Sequence, residues 1–412
     1  MRKGLSLLFL SGALFTALAA GYRIPEQSLR STATAAAYGA WPESPDALFY
    51  NPAALSWLKD GWLFEGGARY ILLPRITYEG LVYDPVLKTY VYARVKSSKE
   101  EFIAPYFFLA TPKVGKLRFG LSFTTPAGLA KKWGSYPASA YAREFTLKVF
   151  ELSASFSYEL TRYLSVGGGL RGVYAEGRAG ASYPGVYSIT MDGNTDVRPG
   201  WHLSVALKPT ESLRFSALYR SKVPLKLSGY GWGYAVLPTA LGPVNYPIKT
   251  GGSVRVPLPA ELRLSAAWRW RSTTFEFSFE RVYWSSYEQL DFDYDDPTAE
   301  ALFGSPRPKN WEDVNAYRFG VRHTINKLEL NAGVAYTESP IPTSSLGFEL
   351  PEPKYAWVLS GGLAYKPSPN AELGLGYLYL VSGSRKVTNA LLRGEFTDVS
   401  AHILTLSLGL RF

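Results

Sequence analysis

The 412-residue chain contains no cysteine, only 2 methionines and only 3 histidines. Without cysteine there is no disulfide staple, no thiol nucleophile and no thiolate metal site. That absence suits a chain that crosses an oxidising compartment before folding. His202, His323 and His402 stand far apart, with no H-x-x-x-H spacing, so no metal site is expected. The G-x-S-x-G elbow of serine hydrolases is missing. Gly167-Gly168-Gly169 falls within a strand pattern, where glycine serves curvature or close packing rather than phosphate binding. No catalytic residue and no cofactor are therefore assigned. Past residue 20 no run of 18 apolar residues occurs, which excludes a transmembrane helix but not a membrane barrel.

The amino-terminal residues read as an export signal. Arg2 and Lys3 precede an apolar stretch over 5–14 that is too short to span a bilayer, and Ala17-Leu18-Ala19 forms an A-x-A cleavage site. Residues 1–19 are thus the expected signal peptide. Aromatic residues are abundant, with 29 Tyr, 22 Phe and 11 Trp. Mean hydropathy is nevertheless near zero, as expected when half of every strand faces a polar lumen. The net charge of +10 falls to +8, 42 basic against 34 acidic residues, once Arg2 and Lys3 are removed. In an exported chain with its basic residues scattered over strands and loops, nucleic acid is not the expected partner. Phosphate-bearing outer-membrane lipid, lipopolysaccharide included, is.

The last twelve residues, AHILTLSLGLRF, alternate strictly. Leu404, Leu406, Leu408, Leu410 and Phe412 share one face, and Thr405, Ser407, Gly409 and Arg411 the other. From Gly61 onward this period of two predicts fourteen strands, at 62–73, 102–110, 116–125, 145–158, 163–176, 197–207, 213–220, 261–270, 272–284, 314–323, 327–336, 356–365, 371–380 and 401–412. Their connections alternate between short turns and long loops. An even strand count with loops sorted by length predicts an all-β, fourteen-stranded antiparallel transmembrane barrel. On adjacent strands Arg263 is expected opposite Glu280, and Arg269 near Glu276, as structural pairs inside the lumen. Placed toward lipid at mid-membrane, each arginine would cost roughly 2–4 kcal/mol.

Residues 20–60 differ from the rest. SLRSTATAAAYGA is Ala-rich, and Ser44-Pro45 and Asn51-Pro52 each put a capping residue before proline at a first helical position. This predicts a small, partly helical segment too short for a core of its own, with Asn51 capping the helix that Pro52 begins. In the strand at 116–125 and just beyond, Pro126 and Gly128 should break sheet pairing, with Gly120 the one glycine inside the strand able to distort it. Aromatic and apolar residues in the long loops, Tyr183, Val186, Tyr187, Tyr230, Trp232 and Tyr234, form a candidate ligand lining together with Leu129 and Trp133.

Several segments carry a family resemblance: AGYRIPEQS, DALFYNPAALSWL with its Asn51-Pro52-Ala53 signature, FTTPAGLAKKWG, LTRYLSVGGGLRGVYAEGRA, RFSALYRSKVPLKLSG, ERVYWSSYEQLDF and NAYRFGVRHTINKLELNAGVAYTESPIP. In this order, and with the aromatic carboxy-terminus, they resemble the FadL/TodX family of outer-membrane transporters for long-chain fatty acids and hydrophobic compounds. The resemblance implies a barrel over 61–412, closed by a plug or hatch over 20–60. Hydrophobic ligand would bind an extracellular groove between long loops, pass to a lumen pocket and leave sideways through a kinked third strand. Long-chain fatty acid is the expected cargo. The alternatives are an aromatic hydrocarbon or alkane on the same fold, or a general diffusion porin. A monomer is expected, assembled by the barrel-assembly machinery acting on the last strand.

Overall fold

The computed structural model describes residues 21–412, so the signal-peptide reading lies outside the described residues. Fourteen antiparallel strands form the barrel wall: β1 (Leu63–Leu73), β2 (Glu100–Ala110), β3 (Leu117–Lys132), β4 (Glu144–Thr161), β5 (Leu164–Tyr183), β6 (Arg198–Leu207), β7 (Leu213–Arg220), β8 (Ala260–Trp270), β9 (Thr273–Tyr283), β10 (Val314–Ile325), β11 (Leu328–Glu338), β12 (Tyr355–Ser368), β13 (Ala371–Val381) and β14 (Ser400–Arg411). Each pairs with its sequence neighbour, and β1 pairs with β14 to close the ring, Leu63 opposite Arg411. Closure leaves no edge at the β1–β14 seam. In β14 the alternating leucines and Phe412 are exposed, while Ile403 and Thr405 are fully buried inside.

Turns at one end are tight. Arg271 at the β8–β9 turn and Asn326 at the β10–β11 turn adopt φ of 55° and 54°, the left-handed geometry that two-residue hairpins require. At the other end the long connections are not simple loops. Residues Val223–Thr239 and Gly242–Leu258 form a hairpin that pairs with Tyr187–Asn194 next to an extended β5. A separate four-stranded sheet combines Thr77–Asp84, Thr89–Lys96, Arg385–Thr388 and Leu392–Thr397. Alternation persists through these extensions, but the apolar face now turns inward.

Residues 21–58 lie within the ring and are almost wholly buried. Short helices Leu29–Ala33, capped by Ser28, and Ala47–Tyr50 precede a 3₁₀ turn over Pro52–Trp57. The segment meets the wall on several sides. Arg30 pairs with Glu329 of β11 and Glu372 of β13, both at 2.8 Å. The Ala53 amide donates to Ser204 Oγ of β6, and its carbonyl accepts from Ser157 of β4 and Ser165 of β5. Gly333 and Gly374 let this backbone and Leu29 approach closely, since a Cβ at either would overlap Thr34 or Leu29.

Two expectations are corrected here. Asn51 does not cap the Pro52 helix with its side chain; its amide reaches 2.8 Å to the Gly39 carbonyl and ties the segment's two halves together. Nor does Arg269 pair with Glu276. Register places Arg269 opposite Thr274, where it bonds Thr274 and Glu43, whereas Glu276 accepts from the Gly39 and Ala40 amides. The inner segment competes successfully for these groups because it brings unpaired backbone donors and its own carboxylate to the wall. Arg263 does face Glu280, at 3.1 Å, and Glu280 also holds Arg23 of the inner segment and Arg318 of β10.

Candidate functional site

The third strand has two halves. Over 120–123 it pairs with β2, ending at Phe123 opposite Phe107. Beyond that point its pairing with β2 stops, although pairing with β4 continues to Lys132. The β4 register slips between Thr124 and Ala127, where Pro126 has no amide hydrogen to contribute to a ladder. The irregularity is therefore centred on Thr125-Pro126 and not on Gly120, which stays in regular register with Ala110 and Ser155. The β2 and β3 backbones rejoin at the far end, where Ser98 N donates to Lys132 O at 2.8 Å and Lys131 pairs with Glu100 at 3.2 Å. Between these two seams the wall has a window.

Residues 22–24 of the inner segment satisfy the backbone groups freed by the irregularity. Ile24 N donates to Pro126 O, and Gly128 N to Tyr22 O, both at 2.8 Å. Gln27 adds a bond to Thr125 O at 3.0 Å and accepts from Thr125 N, and Arg69 of β1 binds both Gln27 and Thr125. Ile24 is buried in one cluster with Phe102 and Ala104 of β2 and Ala130 of β3. Those residues line the window, so the amino-terminal strand segment closes it from within.

Directly above lies a narrow apolar pocket of about 60 Å³. Tyr22 forms its floor, packed edge-on against Trp284 at 4.6 Å and beside Tyr287 and Trp311. Leu129, Phe145 and Leu147 come from β3 and β4. Met191, Leu227, Val254 and Val256 come from the long-loop hairpins, and Leu290, Phe292, Ile341 and Leu350 from the later connections. Its charged lining is the Lys309–Glu349 ion pair together with Arg178, which pairs with Asp192, and Thr146 and Ser345 add hydroxyls. Burial pushes the Glu349 carboxyl up, and the Lys309 ammonium beside it more than offsets this, holding its pKa below the ordinary carboxylate value.

Of the lining residues expected from sequence, Leu129 is in this pocket. Trp133 packs behind it on Phe348, its indole donating to the Phe348 carbonyl at 2.8 Å. Tyr183 and Tyr187 hold loops together through Asp84 and the Ala140 carbonyl, and Val186 lies in the turn between them. Tyr230 and Trp232 point to the outside of the hairpin and line a separate charged groove, and Tyr234 lies on the same strand opposite Ser188. The pocket residues missed by sequence reading carried a usable signal. In 223–228 and 253–258 apolar residues alternate with Lys226 and Arg255, the pattern of a sheet whose apolar face is covered.

The histidines are dispersed. His202 bonds Ser155 at 3.0 Å with its Nδ1 unpartnered, and His323 and His402 bond Thr273 and Tyr377. Among the described residues no group of three or more His, Asp or Glu side chains could hold a metal ion.

Comparison with known proteins gives this geometry its context. The sequence profile of the family described as outer membrane protein transport protein (OMPP1/FadL/TodX) matches residues 11–412. The chain belongs to this family. OMPP1/FadL/TodX members are transport proteins of the bacterial outer membrane and not enzymes, and this protein transports hydrophobic compounds across that membrane. It is 25% identical over 431 residues to a long-chain fatty acid transport protein of Escherichia coli O6:H1, covering 92% of this chain and 93% of that one. With outer membrane protein P1 of Haemophilus influenzae it shares 24% over 410 residues, covering 88% and 86%. The fold matches a Pseudomonas aeruginosa FadL homologue with a TM-score of 0.80 at 17% identity, over 95% of this chain and all of that one. It matches the Pseudomonas putida toluene transporter TodX with a TM-score of 0.73 at 19% identity, over 93% and 98%.

Proposed function

We propose that hydrophobic molecules enter from the long-loop side, occupy the pocket above Tyr22 and leave sideways into the membrane through the β2–β3 window. Residues 20–60 serve as the plug that prevents leakage of water and ions. The observation that carries this reading is the coincidence of three things at one place: the register slip at Thr125-Pro126, the loss of β2 pairing beyond Phe123, and the docking of residues 22–24 over the opening. Tyr22 belongs to the pocket and Ile24 to the window seal, so displacement of one short segment opens both. An apolar molecule on this route never meets the lumen below, where Arg and Glu pairs make the interior polar.

The pocket also bears on the cargo. Glu349 neutralises Lys309, which favours an uncharged hydrocarbon over the long-chain fatty acid expected from sequence. A carboxylate would meet like charge unless Glu349 left Lys309. Affinities for a fatty acid and for an alkane of equal length separate the two, and Glu349→Gln should improve fatty acid binding specifically. Equal or stronger fatty acid binding by the native protein, lost in Lys309→Met, would restore the carboxylate reading.

The lateral route is tested with a disulfide across the window, joining one residue in 102–106 to one in 124–130 of a chain that lacks native cysteine. Uptake should stop in the oxidised protein and return on reduction, with ligand binding unchanged. Full uptake in a confirmed crosslinked protein rules out the route. Deleting residues 20–58 should raise planar-bilayer conductance at least about tenfold, since the remaining lumen is polar and wide enough for water; unchanged conductance removes the plug role.

A further inference from the structure

On the outer wall of the barrel a row of rings crosses four strands: Phe107, Phe123, Phe150 and Tyr174. Neighbouring rings stack at 6.0, 6.2 and 6.5 Å with interplanar angles of 24° or less. Such a band marks the upper boundary of the hydrocarbon layer. Two residues further along β4 and β5, roughly 7 Å, the outward side chains are Lys148 and Glu176, opposite one another. Above them the same face carries Arg178, Asp192 and Tyr230 in consecutive cross-strand register, then Glu144, Trp232 and Lys249. This outward sheet face therefore stands in the headgroup layer.

Its charges are unevenly matched. Lys132, Lys148 and Arg178 are paired with Glu144, Glu176 and Asp192. Lys222, Lys226, Lys249 and Arg255 are exposed and have no carboxylate partner among the described residues. Asp293, bonded to Ser253, and Asp295, beside Gly251, border the face on one side only. Lys226 and Arg255 lie directly opposite each other in the hairpin ladder. Like charges in that position destabilise a sheet unless an anion lies between them. Trp232 adds a ring over Arg178 at 5.6 Å. Between these strands runs a groove lined by those three ion pairs and by Tyr230 and Trp232.

We propose that this face binds the phosphorylated glycolipid of the outer leaflet, with a lipid A phosphate bridging Lys226 and Arg255 and a sugar lying along Trp232 and Tyr230. A soluble anion would find the same cations. A lipid phosphate is favoured because Lys226 and Arg255 stand level with the aromatic row in the sheet ladder, at the boundary of the hydrocarbon layer, so that acyl chains attached to it continue down over the apolar wall. The groove shares Thr146, Gly177, Arg178 and Gly193 with the wall of the pocket above Tyr22, whereas Lys226, Lys249 and Arg255 line neither.

The test uses the full-length mature protein, purified free of lipopolysaccharide, with bound lipid followed by native mass spectrometry. The probes are lipid A carrying both phosphates, the same lipid A dephosphorylated, and inorganic phosphate added with a neutral lipid. The variants are Lys226→Gln/Lys249→Gln/Arg255→Gln and a charge-matched control, Lys88→Gln/Lys327→Gln/Lys386→Gln, whose sites lie elsewhere. Each cation removed from the face should weaken phosphorylated lipid A binding roughly fivefold; the triple variant should lose on the order of a hundredfold and the control about threefold at most. Heat-modifiable gel mobility verifies that both variants remain folded. Native binding should also weaken as salt rises from about 0.05 to 0.5 M, a measurement that needs no variant. Equal binding of dephosphorylated lipid A, equal loss in the control, saturable binding of inorganic phosphate alone, or indifference to salt would each overturn the proposal.

Discussion

Strand β4 passes through two environments while its pairing with β5 runs on without interruption. In its lower part Leu152 and Phe156 face out, while Glu151, Ser153, Ser155 and Ser157 face in and are buried. In its upper part the assignment reverses, with Lys148 and Glu144 outside and Val149 and Leu147 inside. Register with β5 is the same on both sides of residue 150, although the β3 register slips there. What changes is the solvent met by each face. Hydrocarbon below demands an apolar exterior and tolerates a polar, filled lumen; the polar headgroup layer above demands the opposite and leaves an apolar interior. The apolar pocket exists because the inversion occurs above the inner segment, where inward apolar residues from many separate segments meet.

The largest test of this contrast is in the lower lumen. Glu280 compensates Arg23, Arg263 and Arg318 at once, all nearly inaccessible to solvent. Glu280→Gln should destabilise the protein by about 3–5 kcal/mol, because it strands buried cations. Heat-modifiable mobility measures that loss, and uptake at permissive temperature should fall less than stability does. Abolished uptake with native stability would give Glu280 a transport role instead of a structural one.

Next is the outer surface of the lower zone. Leu152→Lys should cost about 2–4 kcal/mol of membrane-folding stability, as urea-induced unfolding from lipid vesicles would report. The reciprocal exchange two rows up, Lys148→Leu, removes only the exposed Lys148–Glu176 contact of 3.7 Å and should cost under about 1 kcal/mol. Similar penalties at both positions would mean that the zones do not differ as described.

The smallest effect expected is on pH dependence in the upper zone. Because the folded pKa of Glu349 is depressed below its ordinary 4.5, its contribution is present above that value and lost as pH falls through the folded one. Fluorescence of Trp311, isolated by subtraction of a Trp311→Phe spectrum, should report pocket loosening with a midpoint below pH 4.5. Glu349→Gln should remove that transition.

Much of the architecture was legible in the chain. All fourteen wall strands follow from alternation, since a lipid-facing strand must place an apolar residue at every second position, as 404–412 does. The tight β8–β9 turn at Arg271 and the pairing of Arg263 with Glu280 follow from the same count. Loop functions were not legible in the same way. An aromatic in a long connection is equally suited to lining a pocket, as Tyr287 does, to bracing a loop, as Tyr187 does, or to facing the outside, as Trp232 does. Composition is identical in the three cases.

The sequence by itself determined export, a barrel of fourteen strands, a separate inner segment and membership of a family that moves hydrophobic compounds. These rest on local periodicity and on motifs contiguous in the chain. Only the tertiary structure decided where β2–β3 pairing stops, that Tyr22 and Ile24 bond the backbone freed there, that Glu276 and Arg269 serve the inner segment instead of each other, and that Lys309 enters the pocket paired with Glu349. Each of these depends on contacts between residues far apart in sequence, and such contacts exist only once the ring has closed around its amino-terminal segment.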